Sequence, residues 1–161
     1  MCIRDSAYMD RGDVVDADIQ DGIETTLKVL KHKFKHTQIQ VEREYADDLP
    51  KLTIRPALNQ VWTNLLDNAI DALGEEGTIR IAARRDGDCV QVDVADTGPG
   101  IPAEIRDRIF DPFFTTKEVG QGTGLGLDTA YRIVHDQHGG SLSVDSEPGR
   151  TVFHVRLPVA R

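Results

Sequence analysis

Two glycine clusters, Asp96-Thr97-Gly98-Pro99-Gly100 and Gly120-Gln121-Gly122-Thr123-Gly124-Leu125-Gly126, interrupt an otherwise regular succession of helix-period and strand-period segments. Glycine turns backbone N–H groups toward an anion with no Cβ in the way, so the pair indicates a phosphate-bearing ligand held largely by main chain. The first cluster also sets a carboxylate, Asp96, at the end of an apolar strand, where it can accept from an exocyclic amine such as that of adenine. Together the clusters indicate a nucleotide site.

An acidic chain with such a site faces an electrostatic problem. The formal charge of -8 argues against a duplex-binding surface, which needs Lys and Arg gathered against phosphates, so nucleic acid is not expected as a partner. A bound polyanion has to be neutralised locally, by a divalent cation, oriented N–H groups and one or two basic side chains. At 161 residues, with 39% hydrophobic content, the chain has the size of one compact domain with an ordinary core. Cys2 and Cys89 have no metal or redox spacing around them and read as free thiols of a reducing compartment. No stretch has the apolar length to cross a bilayer, so a cytoplasmic protein without direct membrane contact is expected. Met1-Cys2-Ile3-Arg4-Asp5-Ser6 starts no recognisable element; residues 1–18 read as a leader or truncated segment and residues 19–161 as the domain.

Apolar residues Ile23, Leu27, Leu30 and Phe34 recur at helical spacing and predict a first helix over Ile19–Lys35. Ile39–Tyr45 alternates like a half-buried strand, and Asp47-Asp48-Leu49-Pro50 turns the chain. A second helix should open near Pro56 and run to about Leu73, before Gly74 and Gly77. Thr78–Arg85 and Cys89–Ala95 read as strands joined by an Asp-Gly hairpin. From Ile101 to Gly124 periodicity is lost, apart from a helical turn at Ala103–Ile109, as in a long functional loop or lid. A third helix over Leu125–His138 and strands Ser141–Ser146 and Thr151–Leu157 complete the chain. This order predicts an α/β (α+β) two-layer sandwich, with a mixed sheet of about five strands and three main helices on one face.

On the second helix Asn64, Asn68 and Asp71 fall at i, i+4 and i+7, a narrow polar stripe opposite Trp62, Leu65, Leu66, Ala69, Ile70 and Leu73. Asn and Asp are poor mid-helix residues, costing roughly 0.5 kcal/mol each relative to Glu, Lys or Gln, so the stripe wants a reason beyond solvation. Amide and carboxylate oxygens are suitable hard ligands for Mg²⁺ or partners for phosphate. The second glycine cluster lacks the Lys-Ser/Thr of a P-loop and the spacing of a dinucleotide fingerprint. It runs instead straight into a helix N-terminus, where free N–H groups favour an anion. Between the clusters, Phe110-Asp111-Pro112-Phe113-Phe114 offers an apolar latch or plain core, and Lys117 brings positive charge.

Taken in order, Asn64-Leu-Leu-Asp-Asn68-Ala-Ile-Asp71, Asp96-Thr-Gly98-Pro-Gly100, Phe110-Asp-Pro112-Phe113-Phe114 and Gly122-Thr-Gly124-Leu-Gly126-Leu127 resemble the asparagine box, first glycine box, phenylalanine box and second glycine box of sensor histidine kinases. The resemblance covers roughly Leu58 to Leu157 and implies the GHKL superfamily with its Bergerat-type fold. It implies ATP and Mg²⁺ as cofactors, Asn68 as the metal ligand, Asn64 beside it toward the phosphates and Asp71 as accessory. Asp96 would accept from the adenine amine, Gly98 and Gly100 would shape the adenine pocket, and Ile101 and Phe110 would complete the binding set. Gly122, Thr123, Gly124, Leu125 and Gly126 would face the phosphates, with Lys117 near the γ-phosphate and, with Asn64 and Asn68, part of the catalytic group. The reaction would be phosphoryl transfer by positioning and charge neutralisation.

The phosphoacceptor of this family is a histidine followed by an acidic residue and then a proline, and His32, His36, His135, His138 and His154 all lack that context. The implied partners are therefore a separate phosphoacceptor and dimerisation domain, missing here, and a response regulator receiver domain. The implied full-length kinase is a homodimer and the isolated domain a monomer unable to autophosphorylate alone. Two alternatives stay open: an anti-sigma-factor-type serine kinase of the same superfamily, and a nucleotide-gated interaction module without phosphotransfer.

Overall fold

The computed structural model describes residues 15–47, 49–101, 103–106, 109–110 and 126–159. The strands are β1 (Val15–Ala17), β2 (Gln38–Tyr45), β3 (Leu52–Ile54), β4 (Glu76–Asp86), β5 (Cys89–Asp96), β6 (Ser141–Glu147) and β7 (Arg150–Pro158). The helices are α1 (Ile19–Val29), α2 (Lys31–Phe34), α3 (Leu58–Leu73), α4 (Ala103–Arg106) and α5 (Gly126–Arg132), which continues as a π turn over Ile133–Gln137.

Five strands form one mixed sheet in the order β2-β4-β5-β7-β6, with β2 and β4 parallel and the other pairs antiparallel. Ile79, Ile81, Ala83, Val90, Val92, Val94, Phe153, Val155 and Leu157 alternate along their strands and are buried, as the period of two requires for a sheet covered on one face. The apolar side of α3, from Leu58 through Ile70, lies on that face with α1 and the α5 segment. The expected two-layer sandwich is the observed one. The opposite face is polar: on β7, His154 contacts Asp93 of β5 at 2.6 Å and Asp145 of β6 at 2.8 Å, and Arg156 reaches Asp86 and Gln91.

Four features depart from the sequence expectation. The first helix breaks at Leu30 (φ -86°, ψ 2°), so α1 and α2 replace one continuous helix. Lys28, Lys31 and Lys35 would stack at i+3 and i+4, and like charges at that spacing oppose helix continuation. The break turns Leu30 into the core and lets Lys33 pair with Asp67 of α3. The β1–β3 ribbon, Val15 opposite Ile54, lies partly ahead of the boundary expected at residue 19; three-residue strands are too short to show a period. The third helix widens into a π turn at Ile133, where adjacent Ile133 and Val134 are both buried. Cys89 is buried and disulfide-bonded rather than free, and Cys2 lies outside the described residues.

Candidate functional site

The polar stripe of α3 stands where its period places it, off the core. Asn64 is half-buried: its Nδ2 donates to the carbonyl of Gly126 at 2.8 Å, and its Oδ1 accepts from Gln60 Nε2 at 2.7 Å. The first of these bonds fastens the asparagine stripe to the start of α5, where the second glycine cluster ends. Asn68, one turn on, is half-buried and makes no side-chain hydrogen bond to the described residues. Asp71 is exposed in the last turn.

Asp96 ends β5 as a buried acid, 4% exposed, whose Oδ1 accepts from the N–H of Gly98 at 2.9 Å. Burial pushes its carboxyl above the usual range, and the Gly98 N–H offsets only part of that effect. A Cβ on Gly98 would lie 2.9 Å from Asp96 Oδ1 and 3.2 Å from the Cβ of Ala72, so the strand tip closes directly on α3. Ala72 follows Asn64 and Asn68 at the same four-residue spacing and continues their face. One helix face thus meets Gly126 at Asn64 and the Asp96 turn at Ala72, roughly 12 Å apart at 1.5 Å per residue. A nucleotide-sized span with polar groups at both ends is what this geometry offers.

The turn after Asp96 is held from behind. Gly100 has φ +90°, and a Cβ there would come within 2.4 Å of the Glu147 carbonyl, so no side chain fits. Ile101 N–H donates to Ser146 Oγ at 2.7 Å, and Ser146 contacts Thr151 at 2.9 Å, which ties the turn to the β6–β7 hairpin. Phe110 packs on Tyr131 (centroids 5.7 Å apart) and edge-on to Phe153 (6.3 Å), at the margin of the core beside the α5 segment. Gly126 is exposed as the first residue of α5. Pro112, Phe113, Phe114, Lys117, Gly122, Thr123, Gly124 and Leu125 lie outside the described residues.

Sequence reasoning passed over several supporting groups. Gln60 lies one turn before Asn64, and that i,i+4 spacing was the available signal. Asp128 is buried and paired with Arg132 one turn on. His138, 3% exposed, donates from Nδ1 to the Ile133 carbonyl at 2.8 Å and accepts the Arg55 N–H at Nε2 at 3.0 Å. Ile133 and His138 are five apart and line up because the turn between them is a π turn. Burial holds the His138 imidazole below its usual range, with the Ile133 bond opposing and the Arg55 charge adding to the effect.

Among the described residues no group of three His, Cys, Asp or Glu could hold a metal ion. A cation at the stripe would therefore rely on amide, water and phosphate oxygens, and the unpartnered Asn68 amide fits that hard, oxygen-only demand. Asp96, with a single N–H on its carboxylate, fits an amine donor.

Residues 53–161 match the model of the histidine kinase-, DNA gyrase B-, and HSP90-like ATPase family. The sensor histidine kinase ZraS of Escherichia coli is 40% identical over 144 residues, 88% of this chain and 30% of that protein. The chain spans about a third or less of the length of the curated relatives it matches. The catalytic domain of histidine kinase ThkA superposes with a TM-score of 0.83 at 32% identity, covering 91% of this chain and 96% of that one. Histidine kinase ThkA in complex with the response regulator TrrA gives a TM-score of 0.74 at 28% identity, over 91% of this chain and 42% of that one. With the family model covering most of the chain and a solved catalytic domain matching nearly end to end, the chain belongs to the histidine kinase-, DNA gyrase B- and HSP90-like ATPase family, as a histidine kinase ATP-binding catalytic domain.

Proposed function

We propose that this domain binds Mg·ATP along the α3 face and serves as the phosphotransferase half of a two-component sensor histidine kinase, its acceptor being a histidine on a separate dimerisation domain. The observation that carries the reading is the meeting of two glycine-flanked elements with one helix face, Gly126 at Asn64 and the Asp96–Gly98 turn at Ala72. In this reading Asp96 accepts from the adenine amine, and Gly98, Gly100, Ile101 and Phe110 shape the base end. Asn68 holds Mg²⁺, Asn64 orients the phosphate side, and Asp71 is accessory. Lys117 and the backbone of Gly122, Thr123, Gly124, Leu125 and Gly126 face the phosphates. Bound Mg·ATP supplies the transferable phosphoryl group and the charge that neutralises it. The chain's residues supply position: two amides at fixed spacing on a rigid helix and a buried acid at a fixed distance along it.

The resemblance to a kinase solved with its response regulator supports a receiver domain as the downstream partner. A cytoplasmic location and a homodimeric full-length kinase follow from the same reading; no helix among the described residues is long and apolar enough to cross a membrane. The test mixes the domain with labelled ATP and a histidine-bearing helical hairpin. Acid-labile phosphate on the hairpin supports the kinase reading. Acid-stable phosphate on a protein serine would replace it with a serine kinase, and binding without transfer with a nucleotide-gated module.

A further inference from the structure

A cavity of about 280 Å³ opens between α1, the β1–β3 ribbon and the first turns of α3, on a side of α3 away from the asparagine stripe. Val15, Ile19, Ile54, Pro56 and Trp62 wall it, and Gly22 of α1 leaves its floor open. A Cβ on Gly22 would meet Asn59 Oδ1 at 2.8 Å and Trp62 Nε1 at 3.5 Å, so both polar atoms face the space that the missing side chain vacates. Trp62 is 1% exposed, and among the described residues no group accepts from its indole N–H. A tryptophan N–H at the wall of a cavity is placed to donate to whatever the cavity holds. Asp18 and Asp21 line the same cavity. Asp18 occupies the N-cap of α1 yet makes no capping bond, although an acid there usually spends its carboxylate on the first turn. Val15 stands half-exposed at the edge of the same space.

From this arrangement we infer a second binding site on the domain, for a small apolar amine that carries a carbonyl near its charged nitrogen, about the size of an aromatic amino-acid amide. The apolar body lies against Trp62, Ile19, Ile54 and Pro56. The ammonium meets Asp18 and Asp21, and the carbonyl accepts from the indole N–H. A volume of about 280 Å³ equals that of roughly nine liquid waters, enough for one such molecule and too little for a nucleotide. The inference is independent of the proposed phosphotransfer, since no residue of the asparagine stripe takes part.

Trp62 is the single tryptophan of the chain, so its indole N–H gives one identifiable proton–nitrogen resonance. The whole chain is titrated with phenylalaninamide, and with N-acetylphenylalaninamide as the uncharged counterpart. A saturable shift of the indole resonance is expected with the amine. Asp18→Asn combined with Asp21→Asn should weaken binding roughly three- to fivefold, the scale of partly exposed ion pairs, and should abolish the preference for the amine. Gly22→Ala, which sets a methyl into the cavity 2.8 Å from Asn59 Oδ1 and 3.5 Å from the indole nitrogen, with the exposed Asn59 side chain free to shift, should remove most of the shift while the circular dichroism spectrum is kept. No saturable shift, equal affinity for the acetylated compound, or full affinity in Gly22→Ala would each overturn the inference.

Discussion

At the Ala72 end of the α3 face, a buried acid sits on a strand tip braced by the β6–β7 hairpin; at the Asn64 end, half-buried Asn64 is held between the Gly126 carbonyl and Gln60, while Asn68 makes no side-chain hydrogen bond to the described residues. The two ends solve different problems. A buried polar group with one fixed bond is costly to leave unpaired, which makes the Asp96 end suited to choosing between bases. Exposed amides on a rigid helix bind little by themselves but fix where a cation and phosphates can lie, which suits the Asn64 end to charge. In the proposed reading, selectivity and charge handling are separated by about two turns of one helix, and each can be perturbed alone.

The sharpest break is expected from Asn68→Ala. Calorimetric titration should show Mg²⁺-dependent ATP affinity falling by more than about a hundredfold, or ~2.7 kcal/mol, with the urea midpoint unchanged. Retained affinity would take the metal off α3. Gly100→Ala should act in the opposite way, lowering stability by about 2–3 kcal/mol through its clash with the Glu147 carbonyl and its left-handed backbone. A urea midpoint equal to that of the parent chain would show that the strand tip is not braced as described.

Asp96→Asn should narrow the preference for adenine over guanine nucleotides by about tenfold, or ~1.4 kcal/mol. Because burial raises the folded acid's titration point, ionising it costs folding free energy once the pH exceeds 3.8 and passes the folded value. The amide avoids that cost, so stability at neutral pH should hold or rise by up to about 1 kcal/mol. Lower stability with unchanged base preference would reverse the assignment. The smallest effect concerns His138. Its folded imidazole titrates below 6.5, so the unfolded chain binds protons first, and stability should be flat above that pH and fall below it by at most about 1.4 kcal/mol per unit. Thermal unfolding across pH 5–8 with His138→Gln, which should flatten the slope, checks it.

Long periodic segments were legible from the sequence. The residues of α3 from Leu58 to Leu73 carry both an apolar stripe and a polar one, and the Asp86-Gly87 step marks the β4–β5 hairpin by turn chemistry alone. The break at Leu30 was not legible, since no glycine or proline marks it and the lysines around it each suit a helix singly, opposing it only when stacked. Nor was the π turn, because five-residue stacking of Ile133 and His138 depends on what Arg55 offers from 83 residues away. The candidate site divides similarly. Asn64, Asn68 and Asp96 stand out as polar groups in costly places, whereas Ser146 is an ordinary strand serine until its contact with Ile101 is known.

β7 follows every other strand in the sequence, yet it lies between β5 and β6. During synthesis, then, the sheet has a gap between β5 and its edge strand β6 until Arg150–Pro158 has left the ribosome, and the pairing of Cys89 with Pro158 closes one of its longest loops. A nascent domain lacking that segment would hold β5 with its Asp96 tip as an unprotected edge, so proofreading of incomplete chains by proteases should concentrate there.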